Sequence, residues 1–135
     1  MSATAIQNIA VIGLGTIGHS VVQMFATADC RVRCFDPSPA VRDGIESRIR
    51  GNFSQMVDAS LFIQEDIETV LGQITICDTE KEALVGAEFV SEAASEDLEL
   101  KQALFSRMEE SVDVETILAS NTSTHPMTHI ARLMK

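Results

Sequence analysis

Three glycines within six residues are the first sign of chemistry in this sequence. Gly13, Gly15 and Gly18 stand in the stretch VIGLGTIGHS and fit the pattern G-x-G-x-x-G. Gly13 would make a tight turn, and Gly18 would let a following helix pack closely on the preceding strand. Gly15 would let the main chain approach a pyrophosphate, which the N–H groups at the start of the helix would bind. The candidate loop is completed by the intervening residues Leu14, Thr16 and Ile17.

An acidic residue, Asp36, ends the next apolar segment 18 positions after Gly18. A carboxylate there accepts hydrogen bonds from both ribose hydroxyls of NAD and repels the 2′-phosphate of NADP. No arginine follows directly, since the chain continues as DPSPA and Arg42 lies a full helical turn or more away. The pattern therefore favours NAD. The alternative is a glycine turn that only packs tightly, with Asp36 as a turn residue.

The segments around these residues alternate between strand and helix patterns. IAVI at 9–12 is typical of a strand buried on both faces, and apolar spacing predicts a helix from Thr16 to about Ala28. RVRCF at 31–35 predicts a second strand, which places the glycine loop in a βαβ unit. Further predictions are two successive helices in 39–72, the second being SLFIQEDIETVLG, strands at 74–77, 87–93 and 116–120, and helices at 97–112 and 126–134. This order predicts an α/β fold: a doubly wound (Rossmann), mostly parallel sheet with helices on both faces and a two-helix excursion after the second strand.

The composition narrows the partners. The formal net charge is −10, which argues against nucleic acid and against anionic membrane surfaces. Hydrophobic residues make up 45% of the chain and there is no Trp or Tyr, so we expect an aliphatic core. Cys30, Cys34 and Cys77 have no CxxC spacing and are interpreted as free core thiols rather than a disulfide or metal site. Without a signal-peptide pattern, we expect a cytoplasmic protein.

The second half of the chain contains motifs that point to a particular protein family. FVSEAASEDLELKQALFSRME followed by TILASNTST resembles the NAD-binding domain of the L-3-hydroxyacyl-CoA dehydrogenases. The resemblance implies that Glu96 and Lys101 lie at the cofactor edge near the nicotinamide end. It implies that Ser123 hydrogen-bonds the reacting oxygen of the substrate, and that Asn121 contributes to the cofactor site from the loop that it shapes with Ser120. The alternatives are an exposed Glu96–Lys101 surface pair and a plain strand-to-helix loop.

The family's catalytic base is a His in a Gly-x-His-Phe-Phe-Asn-Pro stretch, which these 135 residues do not contain. His125 precedes a proline, so HPMTH does not place two metal ligands on one helix face, and no metal site is predicted. We interpret His125 and His129 as helix-surface or loop residues, and His19 as a first-turn residue beside the cofactor. Residues 1–135 are therefore predicted to be an NAD(P)-binding domain cut before the catalytic His and a C-terminal helical domain. Such a fragment should bind NAD without turnover.

The substrate stays open between two kinds of 3-hydroxy compound. The resemblance implies oxidation of the 3-hydroxyl of an acyl-CoA, with a place in fatty acid β-oxidation, and a homodimer for the full-length protein. Its CoA-contacting region corresponds to residues 37–80, which hold no lysine, although three arginines there could serve the CoA phosphates. Relatives that oxidise carnitine or gulonate share this domain, and a non-catalytic NAD-binding module is a further alternative. The three arginines are Arg42, Arg48 and Arg50.

Overall fold

Eleven regular elements build one α/β unit in the computed structural model, which describes residues 4–135. The strands are β1 (Asn8–Ile12), β2 (Arg31–Phe35), β3 (Ile74–Ile76), β4 (Phe89–Glu92) and β5 (Ile117–Ser120). The helices are α1 (Thr16–Thr27), α2 (Pro39–Asp58), α3 (Ile67–Leu71), α4 (Glu80–Leu84), α5 (Leu98–Glu109) and α6 (Met127–Ile130). Two 3-10 turns, Gln64–Asp66 and Ala131–Leu133, precede α3 and follow α6.

The five strands form one sheet in the order β3-β2-β1-β4-β5, and every pair is parallel. The chain moves from β1 outward through β2 to β3 and then crosses back, so that β4 pairs with the other side of β1. A crevice opens at such a reversal beyond the carboxyl ends of the strands, where open α/β sheets bind their ligands. The predicted doubly wound fold is confirmed.

Alternation along β1 divides the core into two layers. Ile9 and Val11 pack on one face of the sheet, with α1, α2 and α3, whereas Ala10 and Ile12 pack on the other face, with α4, α5 and α6. A strand that is covered on both faces has a continuous apolar run in its sequence, as β1 does. The cores are mainly aliphatic, as expected, and the bulky aromatic contributions are Phe53 and Phe105.

The three cysteines are free and buried. Burial, with a smaller contribution from nearby Cys77, raises the pKa of the Cys34 thiol to about 12. A thiol that stays protonated in this way is a poor nucleophile, so Cys34 serves as a small apolar core residue. The prediction of free core thiols is confirmed.

The excursion after β2 is less helical than predicted. α2 is one continuous helix of 20 residues that buries Ile45, Ile49 and Phe53. The second predicted helix is wrong in its first half, because Ser60 takes a left-handed φ of 58° and the chain stays non-helical to Ile63. Leu61 and Ile63 are 73% and 61% exposed there, so their apolar character indicates no helix face.

Two further predictions about elements need correction. The short helix α4 was missed, although Thr79 caps it by accepting a hydrogen bond from the Glu82 N–H at 3.2 Å, and T-x-x-E is a recognised helix start. The apolar run TILAS at 116–120 predicts a buried strand. β5 instead lies at the edge of the sheet, where Ile117 is 51% exposed.

The described residues 4–135 contain no helix that combines the length and apolarity needed to cross a bilayer.

Candidate functional site

A cleft of about 430 Å³ lies beyond the carboxyl ends of β1 and β4. Its walls come from the glycine loop after β1, the turn after β2, the segment after β4 and one side of α5. Cavities of this size are typical of small-molecule sites. Among the predicted site residues, the cleft is lined by Gly13, Gly15 and Asp36.

Two of the three glycines are required by close contact. Gly13 has a φ of 95°, and a Cβ there would lie 2.7 Å from the main-chain oxygen of Ala93. A Cβ on Gly18 would lie only 1.8 Å from the main-chain oxygen of Gly13. Gly18 therefore lets α1 begin directly against the turn that leaves β1. The tight turn and the close helix packing expected from the sequence are both present.

Gly15 differs from the other two glycines. A Cβ built on it meets no atom within 4 Å. Gly15, Thr16 and Ile17 are exposed at the start of α1, where the helix leaves its first N–H groups without partners inside the helix. Packing therefore does not explain a glycine at position 15, whereas a ligand that needs the bare main chain would.

Leu14 contributes its backbone and not its side chain. The side chain is 0% exposed in the core beneath the loop. Its N–H donates to Oδ2 of Asp36 at 2.9 Å, while Oδ1 of Asp36 accepts from the Ser38 N–H at 2.9 Å. A carboxylate has about four acceptor positions, so two remain for ligand hydroxyls. Asp36 thus joins the glycine loop to the end of β2 and lines the cleft.

Arg42 is closer to Asp36 than the sequence suggested. Its Nη1 donates to the main-chain oxygen of Asp36 at 2.7 Å, and its Cζ lies 5.5 Å from the centroid of the Phe35 ring. Arg42 does lie a helical turn beyond Asp36 along the chain, because α2 begins at Pro39. The side chain folds back along the first turn of α2.

A buried ion pair supports the other wall. Lys101 Nζ lies 2.6 Å from Oε1 of Glu92, and both side chains are 0% exposed. The same carboxylate accepts hydrogen bonds from the Ala94 N–H at 2.8 Å and from the Ser120 hydroxyl. Lys101 also donates to the main-chain oxygen of Ala94 at 3.2 Å. This network, defined as the Glu92–Lys101 pair with its contacts to Ala94 and Ser120, connects β4, β5 and α5 behind the cleft.

Lys101 was predicted to lie near the cofactor, with an exposed Glu96–Lys101 pair as the alternative. The prediction of an exposed pair is wrong, because Lys101 is fully buried. Its Nζ lies 2.6 Å from Glu92, whereas its distance to Glu96 is 3.8 Å. Glu96 is 42% exposed and accepts a hydrogen bond from Thr122 at 2.8 Å. Cofactor contacts by Glu96 and Lys101 stay predictions.

The SNTST segment lies at the carboxyl end of β5, beside Glu96. The Asn121 N–H donates to the main-chain oxygen of Glu92 at 2.7 Å, which continues the ladder between β4 and β5. Ser123 is exposed just beyond it. His125 places Nε2 3.8 Å from Glu96, so it lies nearer the site than a plain surface residue. The assignments of Asn121 to the cofactor and of Ser123 to the substrate oxygen stay predictions.

His19 is buried in the first turn of α1. Its Nδ1 lies 2.9 Å from the Gly15 carbonyl, which can only accept, so Nδ1 carries the proton. The imidazole thereby stabilises the main chain of the glycine loop.

Three residues at the site were not identified from the sequence. Glu80 and Arg107 line the cleft and form two hydrogen bonds, of 2.9 and 2.8 Å. These bonds raise the pKa of Arg107, which is positively charged at every working pH. The third residue is Glu92. The sequence signal that could have identified it is an ionisable residue at the end of an apolar strand.

Comparison with known proteins gives a consistent result. Residues 8–135 match the family model described as "3-hydroxyacyl-CoA dehydrogenase, NAD binding domain". A 3-hydroxyadipyl-CoA dehydrogenase of Escherichia coli is 34% identical over 96% of this chain and 27% of that protein. An L-carnitine dehydrogenase of Streptomyces coelicolor is 30% identical over 91% of this chain and 37% of that protein. The crystal structure of Mycobacterium tuberculosis FadB2 superposes with a TM-score of 0.92 at 29% identity, covering 98% of this chain and 46% of that one. The chain thus spans roughly a quarter to a half of the length of these proteins.

Proposed function

Because the chain belongs to the family of NAD-binding domains of 3-hydroxyacyl-CoA dehydrogenases, we propose that it is the cofactor-binding part of an enzyme that oxidises the 3-hydroxyl of an acyl-CoA to a ketone. The cofactor of this family, NAD, is the one that the sequence favours. The base that takes the hydroxyl proton would come from outside residues 1–135. A place in fatty acid β-oxidation is the corresponding metabolic proposal.

The observation that carries the proposal is the open space at Gly15. The exposed start of α1 lies beside it, and the carboxylate of Asp36 lines the same cleft. The main chain from Gly15 to Ile17 would hold the pyrophosphate, and Asp36 would accept from the ribose hydroxyls of the adenosine. When bound, NAD supplies the acceptor for the hydride.

The β4–β5 side of the cleft would serve the reacting end of the cofactor. Glu96, Lys101 and Asn121 would lie along the nicotinamide half. Ser123, exposed at the end of β5, would donate a hydrogen bond to the oxygen of the substrate. The chain's own contribution is to place cofactor and substrate together, since proximity and orientation lower the barrier to hydride transfer.

A second candidate substrate is a 3-hydroxy acid without CoA, and the pairing of Arg50 in the excursion favours it. Arg50 pairs with both Glu46 and Glu68. The carboxylates raise the pKa of Arg50, and Arg50 lowers the pKa of Glu68, as expected of a satisfied pair. A guanidinium engaged in this way is less available to the phosphates of CoA. The L-carnitine dehydrogenase among the relatives is consistent with this candidate.

Calorimetric titration of NAD into the 135-residue chain tests the cofactor assignment. We expect saturable binding that a Gly15→Val variant loses by about 100-fold, since its side chain would occupy the pyrophosphate position. Gly44→Ala is the matched control, because a Cβ at this α2 glycine also meets nothing within 4 Å. A folded chain without NAD binding, or a Gly15→Val variant with unchanged affinity, would contradict the proposal.

Substrate assays need the whole protein that contains this chain. NAD reduction is followed with 3-hydroxybutyryl-CoA, carnitine and gulonate at matched concentrations. A preference for the CoA thioester supports the leading proposal. A preference for either free acid supports the second candidate and removes the first.

A further inference from the structure

The turn that carries Ser123 is closed by the side chain of Thr122. The Thr122 hydroxyl donates to Oε2 of Glu96 at 2.8 Å. It accepts from the Thr124 N–H at 3.3 Å and from the His125 N–H at 3.2 Å. A hydroxyl has one hydrogen and two lone pairs, so these three bonds use it completely. The main chain that follows Ser123 is therefore fastened, through Thr122, to the segment before α5.

The imidazole of His125 turns toward the same carboxylate. Its Nε2 is buried, and within residues 4–135 this atom has no hydrogen-bond partner. Oε2 of Glu96, the atom that Thr122 already contacts, lies 3.8 Å from it. That distance is roughly 0.6 Å longer than a hydrogen bond. A buried ring nitrogen without a partner is unfavourable, so its position here needs an explanation.

Glu96 is the residue that can close this gap. Its side chain is 42% exposed, compared with 20% for His125. Its other oxygen, Oε1, lies 3.8 Å from the buried ammonium of Lys101. The carboxylate thus has a cation on one side and an imidazole on the other, and a small rotation brings it within hydrogen-bond distance of Nε2. Because a carboxylate only accepts, Nε2 then carries the proton.

We propose that His125 is a positioning residue for Ser123: its Nε2–H donates to Glu96 once the carboxylate turns toward it, and this bond fixes the turn of residues 122–125. The inference rests on the proposed function, in which Ser123 donates to the reacting oxygen of the substrate. His125 acts through the turn and not on the reacting atoms. A hydroxyl misplaced by about 1 Å loses much of its effect, since orientation supplies a large share of catalysis.

Steady-state kinetics of the whole protein that contains this chain test the role, with the 3-hydroxy substrate that it oxidises fastest. His125→Leu should lower kcat by about 10-fold and change KM by less than about 3-fold, because positioning acts in the transition state. His125→Gln keeps an N–H donor near the place of Nε2 and should restore kcat to within about 3-fold of the unmodified protein. His129→Leu is the matched control, since this histidine is exposed in α6.

Coupling to Ser123 separates positioning from a general structural role. Ser123→Ala alone should lower kcat by about 100-fold, as expected for the loss of one donor to a developing charge. Adding His125→Leu to Ser123→Ala should then lower kcat by less than about 2-fold, because the residue that it positions is gone. A second loss of about 10-fold would show that His125 acts independently of Ser123, and would overturn the proposal.

Amide hydrogen exchange of the 135-residue chain gives a readout that needs no turnover. The Thr124 N–H, which Thr122 accepts, should exchange about 10-fold faster in His125→Leu. Its rate should be unchanged in His125→Gln and in His129→Leu. Equal rates in the unmodified chain and in all three variants would show that His125 does not hold the turn.

The outcomes separate this inference from the proposed function. A whole protein that oxidises no 3-hydroxy substrate overturns both. Oxidation, together with equal kcat values in His125→Leu and His129→Leu, overturns only the role of His125. Failure of His125→Gln to restore kcat overturns the assignment of Nε2 as the donor. Thermal unfolding monitors the fold, and His125→Asn, whose amide is too short to reach Glu96, replaces His125→Leu if that variant unfolds.

Discussion

The two walls of the cleft are built on opposite principles. After β1, the chain removes side chains, and Gly13 and Gly18 let main-chain atoms approach to distances that no Cβ permits. After β4, the chain adds charged side chains and buries them completely, as in the Glu92–Lys101 pair. Both walls hold main-chain segments at the carboxyl ends of adjacent strands.

The difference teaches how each wall can fail. The wall after β1, here called the glycine wall, is disrupted when an atom is added, because the turn at Gly13 and the start of α1 at Gly18 are already in contact. The wall after β4, here called the charged wall, is disrupted when Glu92 or Lys101 is removed, because the other residue then remains as a buried, uncompensated charge. Removal of both charges together should be far less harmful, whereas no second substitution restores the space that a Cβ occupies.

The largest expected effect comes from breaking the ion pair on one side. Lys101→Met leaves the Glu92 carboxylate buried, and Glu92→Gln leaves the ammonium buried. Each should lower the free energy of unfolding by about 3–5 kcal/mol. The double variant should lose at least about 2 kcal/mol less than the sum of the single losses, because coupled charges are not additive. Urea denaturation measures all three variants.

If the double variant lost as much free energy of unfolding as the two single variants together, the two charges would not depend on each other. The NAD affinity of the double variant gives a second comparison. If the network only stabilises the fold, affinity stays unchanged. If it also positions Ala94 and Ser120, affinity falls although the stability is largely recovered.

A smaller loss is expected when the glycine wall is filled. Gly18→Ala places a methyl group against the Gly13 carbonyl, which belongs to the main chain and cannot rotate away. The free energy of unfolding should fall by about 3 kcal/mol, the upper part of the usual range for overpacking. Gly51→Ala in α2 is the matched control, because its Cβ meets nothing within 4 Å and should stabilise the helix by roughly 0.5–1 kcal/mol. Equal effects at the two positions would show that helix propensity, and not contact, controls Gly18.

The smallest effect is expected at the amino end of the sheet, away from both walls. The Glu88 carboxylate accepts from the Gln7 and Asn8 N–H groups, which lowers its pKa below the ordinary 4.5. A lowered folded-state pKa stabilises the protein above pH 4.5, and this contribution is lost as the pH falls through the folded-state value. Thermal midpoints should therefore differ slightly between the unmodified chain and Glu88→Gln at pH 7, and the difference should shrink as the pH is lowered below 4.5. A difference that does not shrink with acidification, or a change in NAD affinity at pH 7, would show that Glu88 acts in another way.

Most of the fold could be predicted because its signals are local. Apolar runs and spacing located all five strands, α1, α2 and α5. Asp97 caps α5 by accepting from the Leu100 N–H at 2.9 Å, and an acidic residue at a helix start is a local signal as well. The failures also have local causes. The apolar residues between α2 and α3 are exposed in a loop, and α4 is a single short turn with few periodic positions.

The candidate site likewise has features that the sequence could predict and features that it could not. The sequence by itself determined the glycine turn, the acid at the end of β2 and the family, since each depends on residue types at fixed short spacing. Only the tertiary structure decided that Lys101 pairs with Glu92, that Arg42 folds back onto Asp36, and that Glu80 meets Arg107. These contacts depend on strand order, on the placement of α4 and α5 on the same face of the sheet, and on side-chain direction. Spacing along the chain specifies none of these, because they are set by which elements share a face of the sheet.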